Sequence, residues 1–475
     1  QQINISNKTS SSKNHSVTGS ILKTKTGDET VTKSAKKIQN SNRTVVTSAP
    51  KLQNGNKTVT TGAKKIQNSN RTASNTTHNQ QSIYYSCPAL HKPDIKNETQ
   101  KFQPVNQQAY VFSAYYDHRP PRPTIKIVAI SHVSHRDDLL QCQMWYEESC
   151  EPDIRQVSRV ETHHHFPNLQ SATARLFSCA LPDDRVPYAV SIVKNKCQPL
   201  NVLPVINNYK RYKDKPKYQF TVCGPVLANF NNFHELVNMI EINTIFGGEK
   251  FVFYDHSLQG EAKSYLKKYQ DEGKVDLIDF KVPAGMKVYF FAQSNAVLEC
   301  QYRNMYKSKY IAYFDTDEIM VPKSLENWSQ IMSNLTRKRK PKICAAIFDS
   351  VFFRGELPQP RVLNESDENT AQKYQIKPLS VTMRDINIGG HNKWIGEPLH
   401  MIMGSVHTPQ KCSLNATIHK VAVSKGYMHH YRKRPYFPKR KTQQDASFLK
   451  HKDKILKRVV ARHKKFKPEP TTTAP

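Results

Sequence analysis

The sequence lacks any apolar run that approaches the ~18 residues of a membrane-spanning helix. It also lacks an opening stretch of charged and then apolar residues, which a secretory signal peptide would show. The chain begins at Gln1 rather than at methionine. We therefore expect that something preceding Gln1 has been removed, whether a cleaved signal, an excluded anchor or a segment lost at an expression boundary.

Aromatic residues and cysteine are absent from residues 1–83, which are rich in Ser, Thr, Asn and Lys. Such a segment cannot bury enough apolar area to offset its conformational entropy. A 14-residue repeat runs through it, and each copy carries one Asn-x-Ser/Thr glycosylation acceptor. The first hundred residues hold eight such acceptors, against four in the rest of the chain: Asn327, Asn334, Asn364 and Asn415. We predict a disordered, N-glycosylated stem over residues 1–100 in a secretory compartment, with a plain low-complexity tail as the alternative.

Acidic residues are scarce, since 39 Asp and Glu face 71 Lys and Arg, a formal net charge of +32. Residues 1–100 carry a net charge of +11 and residues 431–475 a net charge of +12, so the two ends hold most of the excess. The middle of the chain is only mildly basic, which argues against a nucleic-acid-binding core. We expect no nucleic-acid partner.

Paired Cys-x-x-Cys spacing is missing, which argues against a structural zinc site. Nine cysteines are present, all at or after Cys87, and they fit an oxidising compartment. We expect disulfide partners among Cys142, Cys150, Cys179 and Cys197. The odd total leaves at least one thiol unpaired, and the candidates are Cys223 and Cys300, each inside a strongly apolar element.

Two regions with folding patterns follow the stem. Residues 101–213 contain short β-branched and aromatic segments between Pro, Asp and Asn clusters, which predicts a small antiparallel β module. In residues 214–440 apolar strands alternate with helices, and strands buried on both faces are typical of a parallel sheet. The predicted fold class is α/β, with a mostly parallel sheet flanked by helices. The basic residues 441–475 form either an amphipathic helix packed on this domain or a solvated face and tail.

Acidic residues stand where two of the predicted strands end. Asp255 follows the strand 251–254, and Asp315-Thr316-Asp317 follows the strand 309–314. In open α/β sheets the ligand lies beyond the carboxyl ends of the strands. In an extended segment, residues two apart project to the same side, so both carboxylates would share a hard divalent cation that binds diphosphate oxygens. The alternative is a strand end whose acids cap the next helix.

The segment from Tyr310 to Pro322 resembles the signature of glycosyltransferase family 92. The resemblance covers roughly residues 217–432. Thr316 departs from the family pattern, in which an apolar residue is more frequent, but we expect its side chain to point away from both carboxylates. Further motifs agree in their order along the chain: Thr221-Val222-Cys223, Phe251 to Asp255, Lys393 followed by Pro398, Ser405-Val406-His407, and His430-Tyr431-Arg432.

Membership of that family implies a GT-A-type, Rossmann-like fold and inverting transfer from a UDP-sugar with Mn²⁺. It also implies a type II membrane protein of the Golgi lumen, whose N-terminal anchor is absent from this chain. The best-known members place galactose in β1,4 linkage on fucose of N-glycan cores. By this resemblance we expect a UDP-sugar, UDP-galactose, as donor and a glycoprotein N-glycan as acceptor, although neither composition nor spacing identifies the sugar.

The donor diphosphate and its metal are expected to bind a small set of residues. Asp315 and Asp317 would hold the Mn²⁺, and Asp315 would thereby also contact the donor. His407 is the candidate third ligand, with a hydrogen-bonded structural histidine as the alternative. Lys393 and Arg432 would add positive charge at the diphosphate, although each alone also fits an ordinary surface charge.

The nucleoside and the acceptor need other residues. Asp255 is expected to recognise uridine or ribose, assisted by Arg303. An inverting reaction needs a carboxylate that takes the proton of the acceptor hydroxyl. Asp349 is the first candidate for this base because it lies inside an apolar run, and Glu356 and Glu397 are rivals.

Two other classes of protein also fit the sequence. The first is a non-catalytic glycan-binding protein that keeps the fold, and the second is a secreted protein that binds heparin-like polyanions or nucleic acid through its charge. A metal-dependent nuclease built on Asp315 and Asp317 is disfavoured by the glycosylated stem. Transfer from a UDP-sugar would separate the enzyme from both binding proteins.

Overall fold

The computed structural model describes residues 91–95, 100–163, 171–194, 198–337, 342–432 and 441–467. These residues all belong to one compact unit, Tyr85–Pro475. The stem repeats and their glycosylation acceptors lie outside the described residues. Within the described part, no helix combines the length and apolar character needed to cross a membrane.

A nine-stranded sheet occupies the region predicted as a β module. Its strand order is β5-β4-β8-β9-β2-β3-β7-β6, with β1 paired to β2, and every neighbouring pair is antiparallel except β2 with β9. A short helix, α1 (Tyr209–Tyr212), follows it. The strands are β1 (Gln103–Asn106), β2 (Ala109–Asp117), β3 (Thr124–His132), β4 (Gln141–Trp145), β5 (Asp153–Gln156), β6 (Arg159–Thr162), β7 (Ala172–Ala180), β8 (Ala189–Val193) and β9 (Leu203–Ile206).

Alternating strands and helices follow, as the apolar pattern predicts. Except for the edge strand at 275–279, the strands are buried along nearly their whole length, and the first long helix ends at Gly247, whose φ of +128° suits glycine. The elements are β10 (Tyr218–Leu227), α2 (Phe233–Phe246), β11 (Lys250–Asp255), α3 (Gly260–Asp271), β12 (Val275–Asp279), α4 (Gln293–Asn304) and β13 (Ser308–Tyr313).

The remainder is built from shorter strands and four helices. The elements are β14 (Glu318–Pro322), α5 (Trp328–Thr336), β15 (Lys342–Phe348), β16 (Ser350–Phe352), α6 (Glu365–Lys373), α7 (Lys377–Ser380), β17 (Met383–Asp385), β18 (Lys393–Gly396), β19 (Met401–Met403), β20 (Lys411–Cys412), β21 (Ala416–Lys420), β22 (Gly426–His430), β23 (Thr442–Gln444) and α8 (Lys452–Phe466). A three-stranded sheet, β14-β22-β16, lies among them.

The second sheet is mixed. The parallel order predicted for it is present in one part of the sheet but not in all of it. In its order β12-β11-β10-β13-β18-β15-β21, the first four strands are mutually parallel, but β18 runs antiparallel to both of its neighbours. Because β18 is reversed, its first residue, Lys393, lies at the edge where β13 ends: Trp394 pairs with Tyr313, and Lys393 pairs with Phe348. The reversal therefore brings a lysine to the carboxyl ends of the neighbouring strands.

The nine-stranded sheet and the mixed sheet share helix α4. Asn295 on this helix donates to the carbonyl of Ala129 on β3 (2.7 Å). The buried carboxylate of Glu299 accepts the hydroxyl of Tyr115 from β2 (2.6 Å) and the hydroxyl of Tyr254 from β11 (2.5 Å). The predicted module is thus joined to the α/β region through a common core.

Helix α8 resolves the alternatives left for the basic C-terminal residues. Ile455 and Val459 are fully buried in the same core as α2 and α3. Arg458 and Arg462 lie 2.7 and 2.8 Å from the buried carboxylate of Glu241 on α2. The helix is therefore packed on the α/β region, and part of its basic charge is neutralised by internal ion pairs.

Three disulfides lie in the described residues. Cys142–Cys179 joins two of the predicted partners within the first sheet, and Cys344–Cys412 links β15 to β20. Cys223–Cys300 links β10 to α4, so the prediction of a free thiol at one of these two positions is wrong. Cys223 and Cys300 have apolar neighbours in the sequence because the disulfide lies in the hydrophobic core. Among the described cysteines the free thiol is Cys150, which is exposed; Cys197 lies outside the described residues.

Candidate active site

The turn between β13 and β14 carries the Asp-x-Asp sequence. Phe314 is buried, and its N–H donates to the carbonyl of Cys223 on β10 (3.2 Å), which fixes the end of the strand. The N–H of Glu318 then donates to the carbonyl of Asp315 (3.2 Å), so the segment turns and is not extended as predicted. The side chains of Asp315 and Asp317 remain 29 % and 25 % exposed at this edge of the sheet.

Lys393 and Glu318 both contact Asp315. The Nζ of Lys393 lies 2.6 Å from Oδ2 of Asp315 and 2.9 Å from Oε2 of Glu318. That same Glu318 oxygen accepts the backbone N–H of Asp315 (2.8 Å), while Gln293 at the start of α4 donates to Oδ1 of Asp315 (3.2 Å). Burial would lower the pKa of Lys393, but the charges of Asp315 and Glu318 outweigh it and raise the pKa. The lysine therefore stays charged.

His430 approaches Asp317 from the neighbouring strand. Because β22 pairs with β14, His430 stands opposite Glu318. Its Nε2 lies 3.5 Å from Oδ1 of Asp317, and its Nδ1 lies 3.3 Å from Oε1 of Glu318. Burial would raise the pKa of Asp317, but the positive charge of His430 outweighs it and holds the pKa well below its usual range. Asp317 is accordingly ionised.

These groups suit a divalent cation in their chemistry. The partly exposed carboxylates of Asp315 and Asp317 offer the oxygen donors that Mg²⁺ and Mn²⁺ prefer, and the three carboxylates of the turn outnumber the cationic side chains of Lys393 and His430. The described residues contain no group of three or more His, Cys, Asp or Glu side chains arranged around one metal position. The two aspartates therefore fit the cation, but among the described residues no third side chain of these types is positioned with them.

His407 and Arg432 lie close to this edge. His407 is half-buried, and its Nδ1 donates to the carbonyl of Asn392 (3.2 Å), which leaves Nε2 as the acceptor nitrogen. Burial and the charge of Lys393 lower the pKa of His407 to about 4, so the ring is neutral, as a metal ligand must be. Its role as a third ligand stays a prediction. Arg432 follows His430 and Tyr431 directly, and its charge contributes to lowering the pKa of His391.

Asp255 lies at the predicted edge of the sheet, whereas Arg303 does not. Asp255 ends β11, two strands and thus about 10 Å from β13, and its Oδ1 accepts the N–H of Leu258 (2.8 Å). Arg303 is ten residues from Gln293 on α4, about 15 Å along the helix. Its guanidinium pairs with the buried carboxylate of Glu299 (2.6 Å). The structure therefore keeps Arg303 apart from Asp315 and pairs it with a carboxylate in the core.

The three candidate bases occupy different places. Asp349 follows Phe348, the register partner of Lys393, and its buried Oδ2 lies 3.0 Å from Lys420. Glu356 forms an ion pair with Arg354. Glu397 follows Gly396, which pairs with Ile311 on an antiparallel strand, so it lies five residues, or about 16 Å, along β13 from Asp315. Of the three, Asp349 is adjacent to the cluster and Glu397 is displaced from it.

A cleft lies next to Thr316 and Asp317 of the turn. It has about 350 Å³ of atom-free space between the start of α2, the residues around α7 and the turn itself. Lys377 donates to the carbonyl of Tyr431 (3.2 Å), and the N–H of Tyr431 donates to the carbonyl of Asp317 (2.9 Å), so the wall of the cleft is joined to the turn. The lining residues are Asn232, Glu235, Asn238, Met239, Thr316, Asp317, Ile319, Gln375, Lys377, Pro378 and Tyr431.

Three residues of the site, Glu318, His430 and Gln293, have no predicted role. Glu318 directly follows the Asp-x-Asp sequence, and an acid at the start of an apolar strand was the signal that could have drawn attention to it. His430 belongs to a motif shared with the family. Gln293 carries no such signal, because its contact with Asp315 depends on where α4 meets β13.

Comparison with known proteins identifies similar sequences. The model of glycosyltransferase family 92 matches residues 218–467. Beta-1,4-galactosyltransferase galt-1 of Caenorhabditis elegans is 27 % identical over 241 residues, which cover 48 % of this chain and 55 % of that protein. Galactan beta-1,4-galactosyltransferase GALS3 of Arabidopsis thaliana is 23 % identical over 229 residues, 47 % of this chain and 43 % of that protein. The chain thus spans about half the length of the curated relatives it matches.

Among solved structures, glucosyl-3-phosphoglycerate synthase from Mycobacterium tuberculosis is 14 % identical, covers 54 % of this chain and 82 % of that chain, and has a TM-score of 0.25. The family match covers more than half of the chain and includes the Asp315–Asp317 turn, Lys393, His430 and helix α8. The chain belongs to glycosyltransferase family 92.

Proposed function

We propose that the chain is an inverting, metal-dependent glycosyltransferase of GT-A type that moves galactose from UDP-galactose to fucose on an N-glycan core. The observation that carries the proposal is the position of Asp315 and Asp317, two partly exposed carboxylates at the carboxyl end of a buried strand. Membership of the family supports glycosyl transfer, and the names of the two relatives support galactose as the sugar.

Donor binding is assigned to the turn and to Lys393. Asp315 and Asp317 would hold Mn²⁺, which when bound supplies positive charge against the charge that builds on the departing UDP. Lys393 contacts the Asp315 carboxylate (2.6 Å) and Glu318 accepts the backbone N–H of Asp315 (2.8 Å), so the site needs little rearrangement to bind. Asp255, at the end of β11, is proposed to recognise the nucleoside.

The acceptor hydroxyl must lose a proton as the new glycosidic bond forms. We assign the role of accepting this proton to Asp349. This residue directly follows Phe348, the register partner of Lys393, and its carboxylate is oriented by Lys420 (3.0 Å). The cleft beside Asp317 presents amide, carboxylate and ammonium groups together with Tyr431, which are groups that suit hydroxyl-rich sugars. It is therefore the proposed position for a sugar ring.

The proposed location is the Golgi lumen, in a type II membrane protein anchored by a segment outside this chain. The disulfides Cys142–Cys179, Cys223–Cys300 and Cys344–Cys412 support folding in an oxidising compartment.

A donor screen tests the proposal. The protein is incubated with a panel of UDP-sugars, with Mn²⁺ or with a chelator, and with fucosylated or non-fucosylated N-glycans. We expect UDP release and a hexose added to the fucosylated glycan, only with UDP-galactose and Mn²⁺. A glycan-binding protein would instead bind the fucosylated glycan and release no UDP with any donor, and that result would contradict the proposal.

A further inference from the structure

Four Asn-x-Ser/Thr acceptors lie in the described residues, and the structure distinguishes them. Asn327 and Asn364 are helix N-caps, whose side-chain oxygens accept the backbone N–H three residues on (3.0 and 2.8 Å). Asn334 lies within helix α5. Asn415 is exposed in the turn between β20 and β21, and its side chain forms no hydrogen bond within the described part of the chain.

The backbone around Asn415 is fixed while its side chain is free. Asn415 has a φ of +64°, a left-handed conformation that asparagine adopts more readily than most residues. Its carbonyl accepts the N–H of Lys342 (3.2 Å), and the N–H of Ala416 donates to the carbonyl of Ser413 (3.2 Å). The nearby Cys344–Cys412 disulfide anchors the turn to β15. A group attached to the side-chain amide would therefore project outward without disturbing a contact.

The same turn begins an uncovered edge of the mixed sheet. Strand β21 pairs with β15 and is the last strand of that sheet in the described residues. Leu414 is 95 % exposed and Ile418 is 40 % exposed. An exposed edge strand with apolar side chains is a template for pairing with another chain, and proteins commonly cover or blunt such edges.

The geometry points to Asn415 as an N-glycosylation site whose glycan shields the edge formed by Leu414 and β21. The donor is a lipid-diphosphate-linked oligosaccharide of the secretory pathway. The amide nitrogen of Asn415 forms a bond to the anomeric carbon, the bond from that carbon to the lipid diphosphate breaks, and the amide proton is lost as the diphosphate leaves. A bulky, hydrated glycan next to the strand would oppose edge-to-edge pairing.

The glycan would not obstruct the proposed active site. Asn415 directly precedes the first residue of β21. Lys420, which contacts Asp349, is the last residue of that strand. Five residues of extended strand separate Asn415 from Lys420 by about 16 Å. The modification is therefore independent of the proposed transfer reaction, and either proposal can fail without the other.

Occupancy is tested on the full chain secreted from eukaryotic cells. The protein is reduced, digested with trypsin and treated with an amidase that releases N-glycans in ¹⁸O-water. The tryptic peptide Cys412–Lys420 contains one acceptor, so label incorporated into it reports a glycan at Asn415. We expect labelled peptide. Unlabelled peptide with an intact asparagine would overturn the assignment.

Substitutions at Thr417 test the shielding role without changing the left-handed residue. Thr417→Ala removes the acceptor sequence, and Thr417→Ser, the matched control, keeps it. We expect Thr417→Ala to lose one glycan in mass and to form more soluble aggregate in size-exclusion chromatography, while Thr417→Ser behaves as the unchanged chain. Equal aggregation of the two variants would overturn the shielding role, and a glycan retained in Thr417→Ala would overturn the site.

Discussion

Lys393 and Glu318 form an ion pair of 2.9 Å in which neither side chain is exposed to solvent. A buried ion pair adds little net stability, but the loss of one partner leaves a buried charge uncompensated. Here each partner also contacts Asp315, the lysine at its carboxylate and the glutamate at its N–H. The pair therefore sets the position of a residue that the proposed reaction needs.

Lys393→Met should lower both stability and transfer. The substitution removes the closer of the two cationic side chains that face the buried Glu318 and leaves only His430 near it, so we expect a loss of about 3 kcal/mol in the free energy of unfolding, measured in urea. The double variant Lys393→Met/Glu318→Gln removes both charges and should regain much of this stability while transfer stays low. A single variant that unfolds at the same urea concentration as the unchanged chain would contradict the pairing.

The sequence predicts the position of the Asp315–Asp317 turn because the signals for it are local. An apolar strand followed by acids is recognised within a few residues of the position it describes. Strands β11 and β13 accordingly lie where the pattern places them, within one residue at each end.

The errors concern relationships between distant parts of the chain. The direction of β18 depends on which strands it pairs with, and a four-residue segment does not encode that. For the same reason the ion pair of Lys393 with Glu318 could not be derived. Cys223 and Cys300 are 77 residues apart, and their bond requires that β10 and α4 be adjacent, which brings their Cα atoms to 6.0 Å.

Asp317→Ala should abolish transfer and leave the fold intact. The side chain is 25 % exposed and lies at the edge of the sheet, so its removal creates no internal cavity. We expect the rate to fall by about 100-fold or more while the protein stays folded, with a modest decrease in the unfolding midpoint because the contact with His430 is lost. Asp279→Asn is the matched control, because Asp279 ends β12 and is 65 % exposed. Equal rates for the two variants would contradict the metal-binding role of Asp317.

Asp349→Asn should lower kcat far more than it changes the KM for the donor. Asparagine keeps the size of the side chain but cannot take a proton, so we expect a loss of about 100-fold or more in kcat. Glu356→Gln and Glu397→Gln are the controls, since both acids are alternative candidates for the base and Glu397 is displaced from the cluster. A large effect confined to one of these controls would move the base to that residue.

Asp445→Asn should remove a contribution to stability that depends on pH. Asp445 accepts hydrogen bonds from Tyr427 (2.6 Å), Arg384 (2.8 Å) and the N–H of Ser447 (3.0 Å). Burial raises the pKa of Asp445, but these hydrogen bonds outweigh it and hold the pKa well below its usual value of 3.8. The folded state therefore binds this proton less readily than the unfolded state, so the contribution is present above about pH 4 and is lost as the pH falls further.

We expect Asp445→Asn to cost about 2 kcal/mol in the free energy of unfolding at neutral pH, because three bonds to an ionised group are weakened. The difference between the variant and the unchanged chain should shrink as urea unfolding is repeated down to about pH 2.5. Asp453→Asn, in which the replaced acid is 93 % exposed, should show almost no difference at either pH. A difference for Asp445→Asn that stays constant with pH would mean that its carboxylate is not stabilised in the ionised form, and that the loss arises from packing alone.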